Sequence, residues 1–491
     1  MALRTSSFHP LARGPVDRMI RPMNGIARLG DRAAALARAV VPDPFVIAIL
    51  LSLGVLLVAW VFGTGPVVTD GGLPRVFLLL EAYAGGMLET GLIAFAFQMA
   101  LILVTGYALA DAPPVRGALA VVAGLPKRPA SAAAVVALTA CLLGVLNWGL
   151  ALVGGAFLAR EVGRAFERRG QRLNYPLIGA AGYLGLLVWH GGLSGSAPLA
   201  VASPGAFGVA IPVSETLLSA RNLATTSALV ILMPALFYFL GRAPPASEEH
   251  APEEPAPSPV DEEAEREAEE EEEEGRRFAG VLERTPLVTW CLAIPLAVAV
   301  LLALFTLGSR AITLNFIIIT FLTLGLFLNG NPLQYARAFS DGARGAAGIL
   351  LQFPLYFGIL GVMRESGLLV SLARGFEGAS IALSDVIAPD VSASWFTFLA
   401  AALINLLVPS GGGQWTLQAP VILQTAAQLN LERGPLVMAF AYGDQLTNML
   451  QPFWALPLLS ITGLKARDVF GYTMLAMAFA TPVILFFLAI L

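Results

Sequence analysis

Charge is scarce in this chain of 491 residues. Asp, Glu, Lys and Arg make up 13% of it, against about 25% in an ordinary soluble domain. Hydrophobic residues make up 57%. That balance excludes an ordinary soluble enzyme, a disordered chain and a nucleic-acid binder. Cysteine is almost absent. Cys141 and Cys291 each lie in an apolar stretch, so there is no disulfide framework and no metal-ligand spacing. Lysine occurs only at Lys127 and Lys465; the other basic residues are Arg, which reads as genome composition. No HExxH, GxSxG or nucleotide-cradling glycine loop occurs, so enzyme chemistry and ATP-driven transport have no footing. The net charge of −4 is misleading, because Ser247–Gly275 alone holds fifteen acidic residues and one Arg. The rest of the chain is basic.

What the sequence has in abundance is long apolar runs. A bilayer-spanning helix needs about 20 mostly apolar residues. Such runs occur at Phe45–Phe62, Gly91–Ala110, Ser131–Leu146, Leu223–Leu240, Pro286–Leu307, Ala311–Leu328, Ala346–Val362, Ser394–Val408 and Val469–Leu491. Val76–Glu89 is apolar but carries Glu81 and Glu89, and reads as an interfacial or partly buried segment. The expected fold is an all-α polytopic membrane protein.

Positive residues mark the cytoplasmic side. The Arg-rich residues 4–38 therefore start the chain inside, as a cytoplasmic extension (1–43) rather than a cleavable signal. The loops Asp111–Arg128 and Arg160–Arg172 are also basic and fall inside. The stretch Pro129–Ala159 between them must leave and return on one side, which suggests a re-entrant hairpin turning at Asn147-Trp148-Gly149. Two full spans are the plain alternative. In the second half the sense is opposite. Arg364–Asp390 and Glu432-Arg433 fall outside, and a hairpin broken at Pro409–Gly413 enters between them. The C-terminus then falls outside, in the periplasm if the membrane is a bacterial inner membrane. The expected organisation is a first membrane repeat (44–240), an acidic disordered cytoplasmic linker (241–285), a connecting helix (286–310) and a second repeat (311–491).

The halves share a pattern. Asn147-Trp148-Gly149 is followed by a loop and then Trp189-His190-Gly191-Gly192-Leu193-Ser194-Gly195-Ser196-Ala197-Pro198. Ser410-Gly411-Gly412-Gly413-Gln414-Trp415 is followed by a loop and then Gly443–Pro452. Ser194 and Asn448 each precede a proline by four residues, and on this register His190 matches Asp444. Inverted repeats with broken helices at the midplane are typical of secondary transporters. Irregular backbone survives at membrane depth only beside a cavity or buried in protein. Two glycine-rich breaks and two proline-interrupted helices therefore imply a shared cavity. Free N–H groups at helix N-termini there suit a carboxylate.

These segments, together with Val408-Pro409 and Tyr442–Pro457, resemble the bacterial short-chain fatty acid transporter family, from about Val40 to the C-terminus. The resemblance implies uptake of short-chain monocarboxylates such as acetoacetate, butyrate or acetate across the inner membrane. The family is similar to a wider ion-transporter superfamily that includes dicarboxylate–sodium symporters. By that analogy it implies two re-entrant hairpins, an elevator-like movement, proton or sodium coupling without any other cofactor, and a homodimer in the lipid bilayer.

Within this frame Asn147, Trp148, Gly149, Ser194, Ser196, Ser410, Gly411, Gly412, Gly413, Gln414 and Asn448 are candidate substrate contacts. Each has a plainer reading: a tight turn for the glycines, an interfacial anchor for Trp148, an interhelical hydrogen bond for the serines and amides. His190, Asp444 and Thr447 are candidates for ion coupling, because intramembrane ionisable residues are costly and usually functional. A structural histidine and a helix cap are the alternatives. A sodium site is expected near Ser194, Thr447 and Asn448. No Arg lies at the centre of either motif, so a monocarboxylate would be held by N–H groups and hydroxyls. A same-fold transporter for a dicarboxylate or an aminoacyl compound is the alternative function.

Overall fold

The computed structural model describes residues 25–63, 75–202, 210–242, 278–311, 314–383, 386–409 and 411–490. Most of the N-terminal extension, the acidic block and Ser410 lie outside the described residues. The first half runs α1 (Gly25–Val40), α2 (Pro44–Phe62), α3 (Arg75–Met87), α4 (Thr90–Asp111), α5 (Pro113–Gly124), α6 (Pro129–Leu146), α7 (Trp148–Arg168), α8 (Tyr175–Tyr183), α9 (Ser196–Ala200) and α10 (Ala220–Leu240). After α11 (Phe278–Arg284) and α12 (Pro286–Leu307), the second half runs α13 (Leu314–Leu328), α14 (Pro332–Gly345), α15 (Ala347–Glu365) and α16 (Leu368–Leu383). It ends with α17 (Pro389–Leu407), α18 (Gly411–Gln428), α19 (Arg433–Thr447), α20 (Pro452–Thr462) and α21 (Ala466–Ile490). This is the all-α polytopic architecture expected. Among the described residues, eight helices are long and apolar enough to cross a membrane.

The apolar runs read from the sequence coincide with α2, α4, α6, α10, α12, α13, α15, α17 and α21 to within a few residues. Several stretches read as loops are helical. Asp111–Arg128 contains α5, which leaves α4 at an 82° bend. Arg364–Asp390 contains α16, and α7 continues to Arg168. In α7 the charges find partners. Arg160 is 6% exposed, lies over the rings of Tyr107 and Phe157, and sits 3.6 Å from Glu161, which also pairs with Arg164. Likewise Glu89 pairs with Arg364 at 3.1 Å. α3 packs against α2 and α15: the Tyr83 hydroxyl donates to Ser52 Oγ, and Gly86 lies against Gly361. Counted with its continuation to Ala94, α3 reaches 20 residues, long enough to cross.

Each half has the same order of parts. An arm helix (α5, α16) leads into a helical hairpin (α6–α7, α17–α18), and a broken helix follows (α8–α9, α19–α20). The last helix of each half is α10 or α21. The first hairpin turns on Asn147 alone, whose extended backbone stops α6 while its side chain starts α7. The first hairpin and broken helix meet through glycines. A Cβ on Gly155 would strike the Gly182 carbonyl, and one on Gly185 the Ala140 carbonyl. Such backbone approach is how helices associate in lipid, where burying apolar surface brings no gain.

The helices pack in two groups. α6 to α10 and α17 to α21 form one, with α1 laid along α21. α2 to α4 and α12 to α15 form the other. The arms bridge them: α5 packs on α7, and α16 on α17 and α18.

Candidate functional site

Both helix breaks are short 310 turns. The first has two such turns, Leu184–Leu187 and Trp189–Gly191, and leads into an irregular stretch through Gly195 before α9 starts at Ser196. The second, Asn448–Leu450, is followed by Gln451, and α20 starts at Pro452. The breaks fall where glycines and proline remove helix hydrogen bonds or side-chain constraint. Buried backbone groups freed in this way need partners.

Some of those partners come from the other half of the chain and some from the same half. Gln445 Oε1 accepts the N–H groups of His190 and Gly191 at 3.1 and 3.3 Å. The Tyr183 hydroxyl donates to the carbonyls of Asn448 and Gln451 at 2.9 and 3.3 Å. Asn222 Nδ2 donates to the Gly191 carbonyl at 2.8 Å, and Asn222 Oδ1 accepts from Tyr442 at 3.0 Å. The Leu193 N–H donates to the Val145 carbonyl at the end of α6.

His190 and Asp444, matched positions in the two halves, touch. His190 Nδ1 lies 3.1 Å from Asp444 Oδ1, and the residues are 0% and 1% exposed. The Ala197 N–H donates to His190 Nε2 at 3.1 Å. A backbone amide can only donate, so Nε2 is unprotonated and the ring proton sits on Nδ1, facing the carboxylate. The histidine is therefore neutral in this conformation. Asp444 Oδ2 is buried with no partner among the described residues.

The second hairpin tip lies on the first break. A Cβ on Gly411 would stand 2.9 Å from the Trp189 ring and 3.1 Å from His190 Cε1. That approach explains why glycine occupies this position. Gly412, the next residue, is exposed beside Ser196, and Gly413 is half-buried. Trp189 stacks on His190 with centroids 4.3 Å apart. Phe440 and then Trp415 continue the aromatic chain at 6.1 and 5.0 Å. On the first tip, Trp148 is half-buried and packs edge-on to Trp454 at 5.3 Å. Trp415 is 1% exposed, so it serves as a wall within the protein and not as an interfacial anchor.

Other candidates have more ordinary employment. Asn147 Oδ1 caps α7, accepting from Gly149 and Leu150 at 2.8 and 3.3 Å. Ser194 Oγ accepts the Trp148 N–H at 3.0 Å, pinning the first tip to the first break. Gln414 Nε2 donates to the Ala401 carbonyl and to Gln418 Oε1. Thr447 and Asn448 gather instead on Asn405 of α17. Asn405 Nδ2 lies 2.8 Å from the Asp444 carbonyl, 3.0 Å from Thr447 Oγ1 and 2.8 Å from Asn448 Oδ1. Ser194 thus belongs to one hydrogen-bond network and Thr447 with Asn448 to another. Substituting Asn147 by Ala should cost about 0.5–2 kcal/mol of stability, as loss of a helix cap does. Thermal melting in detergent checks this.

Asn405, Gln445, Asn222 and Tyr442 were not singled out by the sequence reading. Asn405 interrupts the apolar run Ala400–Leu407 and Asn222 opens α10, so a polar residue inside a span was the available signal. Buried acceptors on Asp444, Asn405, Gln414 and Gln451 remain without partners among the described residues, as does the donor Asn448 Nδ2. Buried polar groups are rarely left so.

The sequence profile of the family described as short chain fatty acid transporter matches residues 25–491. This chain belongs to that family. A relative from Escherichia coli K12 with the provisional name short-chain fatty acid transporter is 36% identical over 89% of this chain and 94% of its own. One from Haemophilus influenzae, named likewise, is 34% identical over 90% of this chain and 94% of its own. Among solved structures, the YdaH transporter of Alcanivorax borkumensis aligns at 17% identity over 91% of this chain and 97% of its own, with a TM-score of 0.43. The short-chain fatty acid transporter family is one of membrane carriers and not of enzymes, and the apolar helices of this member suit a multi-pass membrane protein.

Proposed function

We propose that this transporter is a symporter for short-chain monocarboxylates such as acetoacetate, butyrate or acetate in the bacterial inner membrane, driven by a proton or sodium gradient. The observation that carries the reading is the buried His190–Asp444 contact between the two broken helices, with Asp444 Oδ2 left idle. A carboxylate in such a place is costly unless a cation or proton meets it. A proton would be taken up on Asp444. A sodium ion would find Asp444 Oδ2, the buried oxygen without a partner among the described residues. The two packing groups, bridged by the arm helices, support an elevator-type movement of the hairpin group against the other. Val41–Pro44 and Leu464–Arg467 line one cleft, so the N-terminal end of α2 and the start of α21 share a face. On the basic-residue rule that face is cytoplasmic.

A dicarboxylate or aminoacyl substrate would call for a further fixed charge in the site. The other charged groups buried among the described residues are engaged elsewhere: Arg160 and Glu161 with each other, Asp468 with the Lys465 N–H. Uptake of labelled butyrate and acetoacetate into proteoliposomes tests the proposal, under a proton gradient and separately under a sodium gradient. Accumulation under one gradient is expected and names the ion. Folded protein that accumulates neither acid under either gradient overturns the reading.

A further inference from the structure

A cleft of about 500 Å³ opens where the two packing groups meet, on the face that the basic-residue rule makes cytoplasmic. One wall is the loop ahead of α2, the end of α14 and the first turns of α15. The other is the end of α20 and the loop into α21. Three cationic residues border the cleft: Arg344 on the first wall, Lys465 and Arg467 on the second. Asp43 is the one acidic residue on the walls, and its Oδ1 is engaged in accepting the Phe45 N–H at 2.9 Å. Arg344 lies 3.4 Å from Asp341, but both side chains are about half exposed, and such surface pairs contribute little. Asp468 turns back to accept the Lys465 N–H at 3.1 Å. Neither Lys465 nor Arg467 has an ion-pair partner for its side chain among the described residues. Cations gathered with so little counter-charge repel one another, and an anion among them relieves that.

Charge alone would admit any small anion. Size and lining narrow the choice. An apolar cavity of about 150 Å³ takes a benzene ring, so this cleft is several times what a four-carbon acid fills. Its walls also carry apolar side chains, Leu456 and Leu459 of α20 among them. On the helices of the first wall, Leu50 and Leu53 of α2 and Leu350 and Leu351 of α15 are more than half exposed, as residues that meet lipid are. An occupant with a compact anionic head and an apolar tail satisfies both features. Basic pockets between membrane helices on the cytoplasmic side suit anionic headgroups. A phosphate gives Arg two oxygens to grip and Lys a point charge to face.

We propose that this cleft binds the headgroup of an anionic phospholipid. The phosphate sits among Arg344, Lys465 and Arg467, and an acyl chain leaves along Leu456 and Leu459 toward the bilayer. Arg344 belongs to one packing group and Lys465 and Arg467 to the other, so the phosphate ties the two groups together. The site goes beyond the carrier reading and is independent of which acid is carried.

The test uses the full-length protein, purified in detergent and stripped of lipid. It is titrated with short-chain phosphatidylglycerol, phosphatidylcholine of the same chain length, inorganic phosphate and butyrate, and thermal melting reads the binding. Phosphatidylglycerol should raise the melting temperature of wild type, and the other three should do so weakly or not at all. Lys465→Gln combined with Arg467→Gln should lower the apparent affinity for phosphatidylglycerol by about tenfold or more, and Arg344→Gln alone by about fivefold, the scale of a basic residue beside anionic headgroups. Arg116→Gln, at an exposed residue of α5 that does not border the cleft, should leave the affinity unchanged. A double variant that does not fold leaves Arg344→Gln to decide. Wild-type affinity in the folded cleft variants overturns the site, as does an equal loss in Arg116→Gln. Phosphatidylcholine, inorganic phosphate or butyrate that matches phosphatidylglycerol overturns the assignment to an anionic lipid.

Discussion

Asp444→Asn should abolish accumulation of a short-chain acid against its gradient while leaving the protein folded and inserted. The substitution is conservative in geometry. Nδ1 of His190 carries the proton, because the Ala197 N–H occupies Nε2. An asparagine oxygen at the Oδ1 position still accepts from Nδ1–H at the present 3.1 Å. What disappears is the ionisable oxygen that would take the proton or sodium ion. Net uptake under a gradient should fall to the equilibrium level, while exchange of labelled for unlabelled acid across the membrane should persist. Measured in proteoliposomes, near-normal accumulation by the Asn variant would remove Asp444 from the coupling machinery. It would leave the His190 contact a structural tie between the two broken helices.

Gly155→Ala should be among the most damaging single-methyl changes in the chain. Its Cβ would be driven into the Gly182 carbonyl, and backbone on both sides of that contact is helical and cannot swing away like a side chain. Overpacking of a tight core costs about 1–3 kcal/mol. At a backbone-to-backbone approach the upper part of that range is expected, and the first hairpin would be displaced from the helix that carries the first break. Gly54→Ala is the matched control. Nothing lies within 4 Å of its added methyl, so helix propensity alone acts and favours alanine by up to about 1 kcal/mol. Thermal melting in detergent should separate the two by many degrees. Equal melting of Gly155→Ala and wild type would sink the close-approach argument.

The spans were legible because each is a continuous apolar run, and hydropathy needs no tertiary knowledge. α5, α14 and α16 were not, because at 12, 14 and 16 residues each is shorter than the run of about 20 that marks a span. The breaks were legible from their glycines and prolines. Aligning the two motifs placed His190 and Asp444 at one register without predicting a contact between them; the 3.1 Å approach is what the structure adds. Asn405 and Gln445 escaped notice for a physical reason. Their work is to satisfy backbone groups in distant segments; a polar residue inside a span shows in sequence, but the groups that it meets do not. Asn147 shows the converse. It is conspicuous in sequence, and its side-chain oxygen caps the helix that follows.

The exchange of hydrogen bonds between the halves sets an order of events during biosynthesis. The N–H groups of His190 and Gly191 are met by a glutamine roughly half a chain downstream, Gln445. When the first half enters the membrane, that residue has not been translated. The turn at Trp189–Gly191 then either keeps water or borrows acceptors from the insertion machinery until α19 arrives. The two repeats look like independent units in sequence, yet the first cannot reach its final form alone. A truncated chain ending before α19 would carry unpaired donors at membrane depth, a defect that membrane quality control is suited to recognise.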